Sequence, residues 1–172
     1  MENNMNFLPT RQDILDGQDD LDIKWALEVF ENKSTEDAYK LLVDRKIDPL
    51  LYSELISYMG NKAFAYYCIP FFDYIDSDIF KIRLEEEDVD TYMSFYGLNN
   101  ICKRYIGFLN KDDYLDKDIL LNLIKLYPFC IDFVFNLCTR EQEESDDDNY
   151  NKILYKELCE NYNVLKNRIS LY

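Results

Sequence analysis

The stretch 48-DPLLYSELISYMG-60 decides the fold class. Asp48 suits the N-cap of a helix because its carboxylate can accept from the free amides of the first turn, and Pro49 suits the first helical position, where no amide partner is needed. Apolar residues then recur at helical spacing until Gly60. The stretch therefore predicts a helix with a defined beginning and end.

Similar signals recur along the chain. Thr10 and Ser34 each precede an aspartate by three residues, which is the spacing of a capping box. Asp19 or Asp20 opens another helix, in which we expect Trp25 to be buried. Residues 77–84 fit a helix or a strand by their apolar period, and the helical context favours a helix.

Pro70 is expected to break or kink its helix, Gly97 to end one and Pro128 to separate two, because proline lacks an amide hydrogen and glycine weakens a helix. The very apolar segment 129–138 has the composition of a central buried helix. Residues 140–149 are acidic and without periodicity, which predicts a loop.

Length and composition set the architecture. The chain has 172 residues, the size of one domain, with 48% apolar residues and only four glycines and four prolines. An all-β fold needs more turn residues than that. We therefore predict an all-α protein, with residues 1–172 forming a single-domain irregular helical bundle or a short stack of helix pairs.

Charge limits the partners. The chain has 19 basic and 34 acidic residues, a net charge of −15. This charge repels the phosphate backbone, so no direct nucleic-acid binding is expected. It attracts a basic protein and accelerates the encounter with it, although it also serves plain solubility.

Location follows from segments that the sequence lacks. Met1 to Thr10 has neither the basic nor the apolar region of an export signal, and no stretch has the roughly 20 apolar residues of a membrane span. The five cysteines are odd in number and mostly among apolar neighbours, as reduced core cysteines are. We expect a cytoplasmic protein without membrane contact; its oligomeric state is left open.

Catalysis is not expected. The chain has no histidine, no Cys-x-x-Cys pair and no glycine-rich phosphate loop, so the usual nucleophilic triads and phosphate sites are excluded. Asp146, Asp148 and Glu157 have the spacing of three calcium ligands, but Asn151 replaces the required glycine. No cofactor or metal is predicted, and an enzyme that uses carboxylates alone is a weaker alternative.

Two segments combine acids with tyrosines, whose large and rigid side chains suit protein interfaces. An aromatic-rich core is the competing explanation for the fifteen tyrosines. The predicted partner-binding residues are Glu85, Glu86, Glu87, Asp88, Asp90, Tyr92 and Tyr96 in the first segment, and Asp146, Asp147, Asp148 and Tyr150 in the second. We favour the first segment, because a helix start holds its side chains in place.

The opening Leu-Pro-Thr-Arg-Gln-Asp-Ile-Leu at 8–15, the following Asp-Ile-Lys-Trp-Ala-Leu at 22–27 and the scattered acidic runs resemble immunity proteins of bacterial contact-dependent growth inhibition and other toxin–antitoxin systems. The resemblance implies an inhibitor that covers the active site of a toxin, typically a basic nuclease, with an acidic surface. The alternative is a viral Bcl-2-like decoy that binds a host helix in an apolar groove.

Overall fold

The computed structural model describes residues 7–109, 117–140 and 147–169, which contain nine α-helices and no strand. The all-α prediction is confirmed. The helices are α1 Arg11–Leu15, α2 Leu21–Phe30, α3 Thr35–Val43, α4 Pro49–Tyr58, α5 Asn61–Asp76, α6 Asp78–Glu85, α7 Val89–Leu109, α8 Lys117–Arg140 and α9 Asp147–Ile169. The ambiguous segment 77–84 thus lies almost entirely in helix α6.

The predicted helix starts are present. Thr10 and Ser34 each form a reciprocal capping box with an aspartate three residues later. The carboxylates of Asp20 and Asp48 each accept from an amide of the first turn, at 2.9 Å in both cases. These bonds pair amides that the helix itself leaves without an acceptor.

Internal contacts divide the chain into two compact units, the first ending at Gly97 and the second beginning at Leu98, both within α7. The prediction of one domain over 1–172 stays a prediction. In the described parts of the chain, no helix combines the length and the hydropathy that a bilayer crossing requires.

The first unit packs around the aromatic helix α5, which contacts α1, α3, α4 and α6. Phe30, Tyr52 and Tyr67 are fully buried. The ring centroid of Phe30 lies 5.0 Å from that of Tyr52 and 4.7 Å from that of Tyr67. The hydroxyl of Tyr52 donates to the carbonyl of Tyr67 at 3.0 Å, and that of Tyr67 donates to the carbonyl of Phe30 at 2.8 Å. The buried phenols are therefore hydrogen-bonded, as burial requires.

In the second unit α8 and α9 run antiparallel. The rings of Phe135 and Tyr155 lie 5.5 Å apart, and those of Tyr127 and Tyr162, earlier in α8 and later in α9, lie 6.1 Å apart. The α8–α9 core is completed by apolar residues on the facing sides of both helices. These are Leu120, Leu123, Cys130, Val134, Leu154, Leu158 and Leu165.

The helices continue through all three positions, so the expected ends at Gly97 and Pro128 are wrong, and Pro70 does not break α5. Pro70 lies inside α5 and Pro128 inside α8. Gly97 lies inside α7, where a Cβ atom would come within 2.8 Å of Cζ of Phe71 and 3.0 Å of the carbonyl oxygen of Pro49. Glycine is needed there for close packing and does not end the helix.

Two further expectations need correction. Segment 129–138 is not wholly buried, since Phe129 and Phe135 are 42% and 47% exposed while Cys130 is buried. Of the acidic loop predicted at 140–149, Arg140 lies in α8 and residues 147–149 lie in α9, so these positions are helical. Aspartate is favourable at the positive N-terminal end of a helix. Residues 141–146 lie outside the described residues.

Candidate functional site

The first predicted segment spans the end of α6, a tight turn and the start of α7. Glu85 is the last residue of α6, Glu86 is its C-cap, and Glu87 follows with a left-handed φ of 57°. All three glutamates are exposed, and so is Asp90 in the first turn of α7. These four carboxylates are available to a partner.

Asp88 differs from its neighbours. Its carboxylate lies 2.6 Å from the guanidinium of Arg45, and its side chain is only 14% exposed. The carboxylate also accepts from the amide of Asp90 at 3.2 Å, while its carbonyl accepts from the amides of Thr91 and Tyr92. Asp88 thus begins α7 and ties it to the α3–α4 loop. Unlike the other four acids of this segment, Asp88 is mostly buried and already paired.

Two arginines lie close to this turn. Arg45, Arg83, Asp88 and Asp90 share the lining of a cavity of about 20 Å³, which is room for about one water molecule. Arg83 donates to the carbonyls of Leu42 at 3.4 Å and Val43 at 2.6 Å. Their positive charges offset part of the negative potential of the turn, so it presents less net charge than its sequence indicates.

Tyr92 and Tyr96 lie one helical turn apart on α7 and are half-buried. Thr91 and Phe95, each next to one of them in sequence, are buried. The tyrosines therefore lie at the margin between the buried and exposed sides of the helix, with part of each ring accessible.

The second predicted segment overlaps the start of α9. Asp146 lies outside the described residues, and Asp147 and Asp148 are the first two residues of α9. Tyr150, in the first turn of α9, is 66% exposed. A large aromatic side chain is accessible here.

A third surface, absent from the sequence predictions, lies on α2 and the end of α4. We call it the α2–α4 surface and define it by Asp20, Leu21, Asp22, Trp25, Glu54 and Tyr58. Leu21 is 83% exposed, Trp25 is 47% exposed and Tyr58 is 41% exposed. All three carboxylates are exposed as well. Large apolar groups and acids are thus presented together.

The acids of the α2–α4 surface act on the phenol of Tyr58. Its pKa is raised above the ordinary value, first by partial removal from water and then by the negative charges of Asp22, Glu54 and Asp20. Asp22 is also three residues from Trp25 on α2, which places both on one side of the helix. Asp22 is therefore near Tyr58 and on the same side of α2 as Trp25.

The expected burial of Trp25 is wrong. The buried residues of α2 are Ile23, Ala26, Leu27 and Phe30, a set with regular helical spacing. Trp25 is two residues from Ile23, about 200° around the helix, and so faces away from the core. If one helical period had been fitted to the apolar residues of α2, the residues outside the buried set would have indicated this surface.

Two of the buried cysteines are poor nucleophiles. Burial raises the pKa of the Cys102 thiol to about 12 and that of Cys130 still further, so both stay protonated and unreactive near neutral pH. Within residues 7–109, 117–140 and 147–169, no three His, Cys, Asp or Glu side chains are grouped as ligands of a metal ion. The calcium-like spacing includes Asp146, outside those ranges.

A polar cluster lies in the second unit. Asn99 is 3% exposed. Its side-chain NH2 group donates to the carboxylate of Glu157 at 2.7 Å, and its side-chain oxygen accepts from the side-chain NH2 group of Asn161 at 2.8 Å. Lys103 donates to the same Glu157 oxygen at 2.7 Å. The members satisfy one another, which is typical of a network that fixes the register of α7 against α9.

No known protein family, no curated protein and no solved structure matches this chain.

Proposed function

We propose that the protein acts by binding a basic protein, and that the partner is a toxin domain, with a nuclease as the leading candidate. The observation that carries the proposal is the α2–α4 surface, where exposed Tyr58 lies near three carboxylates and exposed Trp25 lies about one helical turn from one of them, Asp22. Tryptophan and tyrosine are enriched among the residues that dominate binding energy, and the acids supply charge complementary to a basic partner.

The proposed inhibition is steric and electrostatic. The substrate groove of a nuclease is basic because it holds phosphates, and carboxylates can occupy the same cationic positions. A net charge of −15 accelerates the encounter, and aromatic contact then slows dissociation. The exposed acids Glu85, Glu86, Glu87 and Asp90 remain candidates for a second contact area.

The decoy alternative needs an apolar groove that holds a helix. The depression lined by Thr35, Glu36, Tyr39 and Asp73 is formed by side chains that each carry a polar group, and the cavity beside Asp88 is small and charged. Neither favours that alternative.

The experiment is a pull-down with the product of the gene immediately upstream, using charge-reversed variants. One variant carries Asp22→Lys and Glu54→Lys, a second carries Glu85→Lys, Glu86→Lys and Glu87→Lys, and a third reverses Asp146, Asp147 and Asp148. Glu160→Lys, at an exposed position of α9, is the control for a charge reversal away from these surfaces.

We expect the first variant to lose the most binding and the control to bind like the wild type. Binding by all three variants at the wild-type level would contradict the electrostatic mechanism. Loss of binding in the Glu160→Lys control as well would mean that only total charge matters, without a defined surface.

A further inference from the structure

A further exposed surface lies on helix α6 and on the turn that leads from it into α7. We call it the α6–α7 surface and define it by Ile79, Ile82, Glu85, Glu86, Glu87 and Val89. Its three aliphatic side chains are 37%, 55% and 63% exposed, in chain order. All three glutamates are exposed as well. Aliphatic groups and carboxylates are thus presented to solvent together.

The phase of α6 directs this surface away from the core. Phe80 is the buried residue of α6, and Ile82 lies about 160° from it around the helix axis. Ile79, Ile82 and Glu86 lie within about 60° of one another on the exposed side. Two isoleucines therefore form an apolar strip that ends at a carboxylate.

Backbone hydrogen bonds hold the turn after α6. The amide of Glu87 donates to the carbonyl of Leu84 at 3.2 Å, and the amide of Asp88 donates to the carbonyl of Arg83 at 3.1 Å. These two bonds form a Schellman motif. The ion pair between Asp88 and Arg45 fixes the far end of the same turn. The glutamates thus extend from an ordered backbone, so little ordering entropy is lost when a partner binds.

The fold itself gains nothing from glutamates at these positions. Glu87 has a φ of 57°, at the left-handed position of the motif where glycine is preferred. Glu85 and Glu86 lie at the C-terminal end of α6, whose partial negative charge favours cations over acids. A cationic partner would offset this repulsion.

Cations near the α6–α7 surface are directed to other groups of the protein. Lys81 lies 3.4 Å from the carboxylate of Asp78. Arg83 donates to the carbonyl of Val43 at 2.6 Å, which turns its guanidinium toward the end of α3. The three glutamates therefore dominate the charge that this surface presents.

We propose that the α6–α7 surface binds an amphipathic basic segment of a partner protein. The apolar side of the segment packs against Ile79, Ile82 and Val89, and its lysines or arginines meet the glutamates of the turn. A purely apolar segment would take the glutamates out of water without supplying a cation, which is costly.

Charge also decides against other occupants. A second copy of the chain would bring glutamates against glutamates, with a net charge of −15 on each copy. Nucleic acid and an anionic membrane are repelled for the same reason. The inference stands without the toxin proposal, because it concerns a different surface and does not require that the segment come from a toxin.

The test uses the full chain and a fluorescein-labelled helical peptide of about 18 residues, made of leucine and lysine with all the leucines on one side. A peptide of the same composition in scrambled order has the same charge and no apolar side. Fluorescence anisotropy gives the dissociation constant of each. We expect the amphipathic peptide to bind about tenfold or more tightly than the scrambled one.

Two variants test the two halves of the surface. Ile82→Ser with Val89→Ser should raise the dissociation constant of the amphipathic peptide about tenfold, whereas Ile153→Ser, at an exposed position of α9, should leave it unchanged. Glu85→Gln, Glu86→Gln and Glu87→Gln together should also raise it about tenfold and make binding less dependent on salt.

The matched control for the triple variant is Asp22→Asn, Glu28→Gln and Glu54→Gln, which changes the net charge equally from exposed positions of α2 and α4. It should weaken binding by less than about threefold.

Equal binding of the scrambled peptide overturns the proposal, because attraction by net charge alone then explains it. Equal weakening by the two triple variants overturns it for the same reason, and an unchanged Ile82→Ser, Val89→Ser variant places the contact elsewhere. Sedimentation of the wild type as a dimer that this double variant abolishes would make a second copy the occupant, which also overturns the proposal.

Discussion

The guanidinium of Arg45 lies 2.6 Å from the carboxylate of Asp88, although 43 residues separate them in the chain. This ion pair joins the α3–α4 loop to the start of α7, inside a segment that otherwise presents exposed acids. A carboxylate that stabilises the fold therefore lies next in sequence to carboxylates that are exposed on the surface. A variant that changes all of them together would confuse stability with binding.

The first prediction separates the two roles. Asp88→Ala should lower the free energy of unfolding by about 1–2 kcal/mol, because it removes the N-cap of α7 and leaves Arg45 without its carboxylate. Glu86→Ala, an exposed acid in the same turn, should change it by less than about 0.5 kcal/mol. Urea unfolding of both variants measures the difference, and equal effects would contradict the structural role of Asp88.

The pKa of Tyr58 should respond to the negative charges of the α2–α4 surface. Asp22→Asn removes one of the negative charges that oppose formation of the phenolate, so the pKa of Tyr58 should fall toward its ordinary value. Glu28→Gln changes the net charge equally from another exposed position of α2 and should leave this pKa nearly unchanged. Titration of the tyrosine Cζ signals by NMR measures both. Equal shifts would mean that Asp22 has no special proximity to Tyr58.

Trp25 is the single tryptophan, so its fluorescence tests its exposure directly. Its emission should be that of a water-exposed indole, readily quenched by acrylamide. Trp25→Ala should cost less than about 1 kcal/mol of stability, whereas Phe30→Ala, on the buried side of α2, should cost about 3–5 kcal/mol. A blue-shifted and unquenched emission would place Trp25 in the core.

Gly97 and Gly107 are matched glycines of α7. Gly97→Ala would bring a Cβ within 2.8 Å of the Phe71 ring, so overpacking should outweigh the better helix propensity and destabilise the protein by about 1–3 kcal/mol. At Gly107 a Cβ would meet none of the described atoms within 4 Å, and alanine there should stabilise by up to about 1 kcal/mol. Thermal unfolding of both variants should give shifts of opposite sign. Stabilisation by Gly97→Ala would mean that glycine is not needed for packing there.

Local chemistry allowed the helix starts to be predicted, because a cap involves residues three positions apart. Thr10, Ser34 and Asp48 all cap the helices expected of them. The continuation of α7 through Gly97 could not be predicted the same way, since it depends on how closely Phe71, distant in sequence, packs against Gly97. Tertiary contacts overrode the local helix-breaking tendency.

The candidate surfaces follow the same division. Exposure of Glu85 to Glu87 was predictable from an acidic run at a helix end. The pairing of Asp88 with Arg45 was not, because it depends on how α3 and α7 meet. To predict the exposure of Trp25, one must identify which side of α2 faces the core. The apolar neighbours of the tryptophan in the sequence made that side hard to identify.

Binding of a basic partner through the α2–α4 surface is tested most directly by the association rate at increasing ionic strength. The upstream gene product is mixed with the wild type and with the Asp22→Lys, Glu54→Lys variant, and Trp25 fluorescence is followed by stopped flow. The wild-type rate should fall steeply as salt shortens the Debye length to about 8 Å at physiological strength, and the variant should associate more slowly and depend less on salt. A wild-type rate that is independent of salt, with the variant equally fast, would contradict electrostatic binding through this surface.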